Sequence, residues 1–235
     1  MQNNTATYLL STRPLDEQIK EAAASRGFKV DESSFITTEP ITDVATLAEI
    51  EEVLLLQTTV IFTSMNAVQA VADQLEGVMP QWDIYCMGNT TRELVAEYFG
   101  EDAIVGTAIN AASLAEVIIE NGNTDEVIFF CGDQRREELP ERLEANGIAV
   151  REIVVYSTIP TPHKLTRDYA GILFYSPSAV QSFFTVNKLN ESTVYFAIGT
   201  TTAAALHSFV PSHQVITANV PGKEALVDEA IAFFS

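Results

Sequence analysis

Four short runs of serine, threonine and glycine stand where apolar, strand-like stretches end and helical patterns begin. Thr63 and Ser64 follow the stretch 60–62, Gly88 and Thr91 follow 84–87, Ser176 and Ser178 follow 172–175, and Gly199 and Thr202 follow 194–198. In an open parallel sheet, ligands bind at the carboxyl ends of strands, where loops lead into helices. Helix N-termini at that edge offer unpaired N–H groups and a positive dipole end, which suit carboxylates. All eight residues are therefore candidate anion-binding groups. The serines and threonines also serve as helix N-caps, and the two roles are compatible.

Two arginines belong to the same edge. Arg13 follows its strand end directly and precedes Pro14. Arg135 and Arg136 occupy the equivalent place in a second copy of the pattern. Pro140 is tolerated only in the first turn of a helix, so that helix starts near Glu138 and leaves 132–137 as a loop. The chain has only 13 lysines and arginines against 32 acids. Arginine holds a carboxylate through two parallel hydrogen bonds, which makes Arg13 and Arg136 candidates for that task. The competing role for each is an ion pair with a surface acid.

The elements that must position these groups read as alternating short apolar runs and amphipathic helices, the pattern of parallel α/β units. Strands are expected at 8–10, 60–62, 84–87, 104–105, 127–130, 172–175, 194–198 and 215–217. Leu15, Ile19 and Ala22 form one helical stripe, ended by Gly27. Val68, Val71, Ala72 and Leu75 form another. Pro177 after Ser176 is the arrangement of an N-cap serine with an N1 proline.

The pattern repeats. VIFTSMNAV (60–68) matches ILFYSPSAV (172–180), MGNTTRELV (87–95) matches IGTTTAAAL (198–206), and NAASLAEVI (110–118) matches PGKEALVDEAI (221–231). The block from Leu9 to Val30 resembles the one from Phe129 to Val150, and 17 residues separate Leu10 from Gly27 and Phe130 from Gly147. Long internal repeats of this kind mean two copies of one supersecondary unit. The copies either follow one another in tandem, or the middle of the chain is a domain inserted into the other. In the second case two connectors run near 35–41 and 152–160, the latter rich in β-branched residues and ending in prolines. Composition does not decide between these arrangements.

At 235 residues and 47% hydrophobic composition, two cores are affordable. A formal charge of −19 excludes nucleic acid and anionic membrane surfaces as partners. No apolar run approaches the roughly 18–20 residues of a membrane span. The N-terminal stretch lacks a basic region followed by a long apolar one, so a cytoplasmic location is expected. Cys86 and Cys131 stand outside any CxxC or Cys/His cluster and read as buried thiols, with no metal site. His163, His207 and His213 are scattered and read as surface or helix-end residues. The acidic stretch 49–52 reads as a solvated helix face, and Phe183-Phe184 and Phe233-Phe234 read as core. No P-loop or GxGxxG is present, which speaks against nucleotide use.

STRP near the N-terminus, IFTSMNAV, MGNTTRELV, GDQRREELPERLEANGIAVREIVVYST, FYSPSAV, AIGTTTAAAL and the closing VPGKEALVDEAI resemble the uroporphyrinogen-III synthase family, in order and over essentially the whole chain. The resemblance implies two flavodoxin-like parallel-sheet domains joined by a two-stranded connector, with one domain inserted into the other. Residues 1–35 plus 160–235 would form the first and 41–152 the second, with connectors at 36–40 and 153–159. The implied reaction cyclises hydroxymethylbilane to uroporphyrinogen III in the cleft between the domains, with loss of water and inversion of the last pyrrole ring, and needs no cofactor. Tyr156 in the second connector is the implied proton donor to the departing oxygen, since a phenol with a pKa of about 10 stays protonated. Met65, Thr200 and Tyr175 depart from the usual family pattern, in which proline, proline and Thr or Ser respectively are common.

The partner expected on this resemblance is the linear tetrapyrrole polycarboxylate alone, bound by a monomer, with a transient contact with hydroxymethylbilane synthase left open. Neutral hydroxyl and backbone donors explain how so acidic a chain accepts a polyanion. A different class also fits the residues: a non-catalytic two-domain protein that binds a small anion.

Overall fold

The computed structural model describes residues 7–220 and 222–235. The first six residues assigned to the first domain, and Pro221 of the last repeat block, lie outside these. The chain divides into two compact units, one made of the residues up to 37 together with 159–235, the other of 38–158.

In chain order, the first unit opens with β1 (Thr7–Ser11), α1 (Glu17–Ser25) and β2 (Phe28–Glu32). β3 (Ile36–Pro40) then leads into the second unit, which holds α2 (Val44–Leu54), β4 (Gln57–Phe62), α3 (Met65–Ala72), β5 (Gln81–Met87), α4 (Thr90–Phe99), β6 (Ile104–Ala108), α5 (Ala111–Asn121), β7 (Glu126–Gly132) and α6 (Glu138–Ala145). β8 (Ala149–Pro160) leads back to β9 (Gly171–Phe174), α7 (Pro177–Val186), β10 (Val194–Ala197), α8 (Thr200–Leu206), β11 (Val215–Thr217) and α9 (Lys223–Phe234). β3 and β8 are hydrogen-bonded neighbours. The Ile41 N–H donates to the Val155 carbonyl and the Thr161 N–H to the Phe35 carbonyl, a register that falls on one strand as it rises on the other, so the pair is antiparallel.

The sheet of the first unit runs β2-β1-β9-β10-β11 and is parallel throughout. Within the second, β8-β7-β4-β5-β6 is likewise parallel. Read through the internal repeat, the two orders are the same: β7 and β8 stand for β1 and β2, and β4, β5 and β6 for β9, β10 and β11. This is the flavodoxin-like order, with its switch point between the first strand of the motif and the third.

Alternation of side chains along each strand feeds two cores per sheet. In the second unit Val60, Phe62, Ile84 and Phe130 pack with α2, α3 and α4 through Val53, Val71 and Phe99. Ile61, Tyr85 and Phe129 face α5 and α6 through Leu114, Ile118 and Leu143. In the first unit Leu10, Ile172, Phe174 and Tyr195 meet α7 and α8. Leu9, Leu173 and Phe196 meet α1 and α9 on the other face.

The first helix of each A-type block ends the same way. Gly27 has φ +88° and Gly147 φ +81°, with no atom near where a Cβ would sit. Glycine is required there by backbone conformation, not by crowding. Three packing expectations need correction. α1 starts two residues later than Leu15, so it buries Ala23 while Ala22 is exposed. Phe233 is 54% exposed, because it lies on the outer face of α9 while Phe234 packs inward. His163 is not a plain surface residue: its ring stacks on Phe35 at 4.1 Å and its Nε2 lies 2.6 Å from Ser33 Oγ.

Candidate functional site

Each unit gathers its candidate residues at the carboxyl ends of its own strands. In the second unit, β4 ends at Phe62, Thr63 follows, and Ser64 caps α3, its Oγ accepting from the Asn66 N–H at 3.1 Å. In the first, the matching Ser176 caps α7 and accepts from the Ala179 N–H at 3.2 Å, with Pro177 at the first helical position. Thr63, Ser64, Ser176 and Ser178 are all partly exposed, so capping leaves their remaining lone pairs and protons accessible.

The second loop of each pair behaves differently. Gly88 donates its N–H to the Ala108 carbonyl at 2.8 Å, and the left-handed residue of that turn is Asn89, at φ 60°. Thr91 and Thr202 are 8% and 2% exposed. They stand at the second and third positions of α4 and α8, where backbone N–H groups have no partner within the helix and lie at the strand edge; their side chains are buried. Gly199 is extended (φ −176°) with open space around it.

Tyr156 meets one of these caps. Its hydroxyl donates to Ser64 Oγ at 3.1 Å. Gly132, its partner across β7 and β8, makes the approach possible, because a Cβ on Gly132 would lie 2.3 Å from Tyr156 Cζ. The register shifts by one residue between Cys131 and Gly132, which carries Tyr156 over the glycine. The following loop is fastened to the same strand: the Asp133 N–H donates to the Tyr156 carbonyl at 3.1 Å, and the Thr158 N–H donates to Asp133 Oδ1 at 2.9 Å. Burial raises the Tyr156 pKa above its ordinary value of 10.0, with a smaller opposing effect from the Ser64 hydrogen bond. The phenol is thus neutral and carries a proton at neutral pH. A cavity of about 140 Å³ opens beside it, lined by Asn66, Gln69, Asp73 and Glu39 among others. Larger cavities lie elsewhere in the first unit. One of about 350 Å³, lined by Thr193, Ile172 and Lys188, sits at the opposite ends of β9 and β10, away from the hydroxyls and helix N-termini that could hold an anion.

The arginines differ in exposure. Arg135 is half-buried and tied to Glu137 at 2.7 Å and to Glu152, and Arg136 is exposed in the loop before α6. Arg13 is exposed at the end of β1, and among the described residues no carboxylate lies within ion-pair distance of it. Sequence reasoning missed two contributors. Gly132 gave no signal, since one glycine in an apolar strand identifies neither its neighbour nor the clash it avoids. Tyr175, noted only as a departure from pattern, places its hydroxyl 3.5 Å from Ser11 Oγ.

Chemically, the edge of each sheet offers neutral donors suited to carboxylates, and the second unit adds a protonated phenol suited to general-acid work. A family model for uroporphyrinogen-III synthase HemD matches residues 17–228. The uroporphyrinogen-III synthase of Saccharomyces cerevisiae is 39% identical over 66 residues, which is 25% of this chain and 22% of the yeast protein's length. Among solved structures, the uroporphyrinogen-III synthetase of Helicobacter pylori superposes with a TM-score of 0.66 at 16% identity, covering 97% of this chain and 99% of that one. A mutant synthase from Thermus thermophilus superposes at 0.61 and 16%, covering 98% and 100%. At such identity these two likenesses speak for the fold.

Proposed function

This chain belongs to the uroporphyrinogen-III synthase family, a family of cyclising lyases of tetrapyrrole biosynthesis, and we propose that it converts hydroxymethylbilane to uroporphyrinogen III. On this reading the bilane's hydroxyl leaves as water and the last pyrrole ring is inverted as the macrocycle closes. The observation that carries the mechanism is the Tyr156 hydroxyl, held at 3.1 Å from Ser64 Oγ at a strand end and kept protonated by burial. Tyr156 gives its proton to the departing oxygen. The carbon–oxygen bond breaks, and the pyrrole-stabilised cation is attacked by the α-carbon of the last ring that already carries the methylene bridge. That bridge bond breaks and re-forms at the ring's other α-carbon, whose displaced proton restores the phenol. Arg13, Arg136, Thr63, Ser64, Ser176 and Ser178, with the backbone N–H groups at Thr91, Gly199 and Thr202, hold the carboxylate arms. Gly88, whose N–H is taken by the Ala108 carbonyl, shapes the turn that presents them. The long, flexible polyanion engages strand ends of both units, and holding it folded decides which carbon attacks. Such control is positioning more than acid strength, and positioning is a large source of rate.

The test is direct. Preformed hydroxymethylbilane is added to the purified protein and the product isomers are separated after oxidation. Isomer III is the expected product. Isomer I alone, which forms without an enzyme, would reject the lyase reading and leave a binder of small anions. On the same reading the protein works in the cytoplasm and as a monomer, the latter supported by the scatter of its exposed large apolar side chains, such as Val44, Met79 and Phe233, over different elements. Sedimentation at micromolar concentration checks the monomer.

A further inference from the structure

We propose that Tyr175 is a positioning residue that, together with Arg13, holds one carboxylate arm of the substrate at the carboxyl ends of β1 and β9; this rests on the tetrapyrrole reading above. β1 and β9 are neighbours, with Ser11 in register with Leu173, so the residues that follow each strand emerge side by side. The turn after β1 is pinned, because both the N–H and the hydroxyl of Thr12 donate to the Leu173 carbonyl, at 3.0 and 2.8 Å. That turn presents Arg13 beside the end of β9, where Tyr175 precedes the cap of α7.

The tyrosine ring and its hydroxyl have separate surroundings. The ring packs on the cluster of Leu9, Leu173 and Phe196. The hydroxyl lies 3.5 Å from Ser11 Oγ, at the outer limit for a hydrogen bond. In that contact Ser11 Oγ is the donor and the phenol oxygen the acceptor, and Ser11 has the closer Arg13 carbonyl as its acceptor, so no partner among the described residues takes the phenol's proton. Arg13 adds charge. Seven other basic residues of this acidic chain, among them Lys20, Arg26, Arg92 and Arg151, are ion-paired, yet Arg13 has no carboxylate in range among the described residues. A neutral O–H donor on a half-buried tyrosine, at the same pair of strand ends as an exposed guanidinium without a carboxylate partner among the described residues, is complementary to a carboxylate. The second unit has Thr63 at the matching position, so this grip exists in one unit only. It gives the protein a way to distinguish the arms of a substrate whose four rings are alike.

The experiment measures isomer III formation for the wild type, Tyr175→Phe, Arg13→Ala and the double variant, with melting temperatures recorded alongside. Tyr175→Phe keeps the ring packing. It should raise KM about tenfold with kcat within about twofold, the pattern of a lost charge-assisted contact made equally in ground and transition states. Arg13→Ala should act similarly, and the double variant should lose less than the product of the two, since both groups hold the same arm. Tyr175→Thr, which copies the other unit, should repeat the KM effect. An unchanged KM in Tyr175→Phe, or fully multiplicative losses in the double variant, with isomer III still formed by the wild type, overturns this inference alone. Isomer I alone from the wild type overturns the reading beneath it as well.

Discussion

Tyr156 owes its usefulness to two neighbours, a serine that receives its hydrogen bond and a glycine that makes room for its ring. Tyr156→Phe removes only the proton, so kcat should fall roughly ten- to a hundredfold, within or below the usual range for a positioned acid, while KM stays near the wild type. Steady-state kinetics with isomer analysis decides it, and full activity would remove the phenol from the mechanism. Because burial holds its pKa above 10.0, the acid stays protonated as pH rises, and any alkaline limb it governs must lie above pH 10. Ser64→Ala, by contrast, removes one donor among many and should leave measurable isomer III. The buried thiols follow similar logic: burial pushes Cys86 up to about 11 and Cys131 up to about 12, so a thiol reagent at pH 8 should label neither until the protein is unfolded. The hydroxyl caps were legible in the sequence because Ser-Pro and Thr-Ser junctions after apolar runs carry a local signal. The burial of Thr91 and Thr202 was not, since it depends on helix phase against a core contributed by distant strands.

Matched elements with unmatched glycines separate stability from function. Gly147 closes α6 at φ +81° in open space, so Gly147→Ala should cost about 1 kcal/mol of stability through backbone strain alone and leave kcat unchanged. Gly132 lies within a strand, and a methyl there would meet the Tyr156 ring at 2.3 Å. Gly132→Ala should therefore displace the tyrosine and lower kcat at least as far as Tyr156→Phe, alongside an overpacking cost of about 1–3 kcal/mol. Chemical denaturation and kinetics on both variants test the contrast, and equal activity in the two would sink it. The central strands were readable as continuous apolar runs because both of their faces are buried. The strands β2 and β3 escaped: FKVDE and ITTEP have charged or polar positions facing solvent. They hold their places through pairing with β1 and β8, which no local window reports. The repeat, by contrast, was visible because both copies keep the same strand-to-helix spacing.

The whole chain carries a formal charge of −19, and its proposed ligand is itself a polyanion. Long-range repulsion opposes encounter, while the final contacts are short-range hydrogen bonds and two arginines. These effects respond differently to salt. The Debye length falls from about 30 Å at 0.01 M to about 8 Å at 0.15 M, which screens the repulsion across the approach path. Contacts at hydrogen-bond distance lie well inside either length and weaken far less. Because electrostatic steering acts mainly on association, kcat/KM should rise severalfold between these ionic strengths in an inert salt, with kcat nearly constant. Arg13→Ala and Arg136→Ala should start from lower values and show a steeper rise, since each makes the field one charge more negative. A kcat/KM that falls with salt in the wild type would mean that local arginine contacts outweigh the global field, and that approach occurs through a region more positive than the net charge allows.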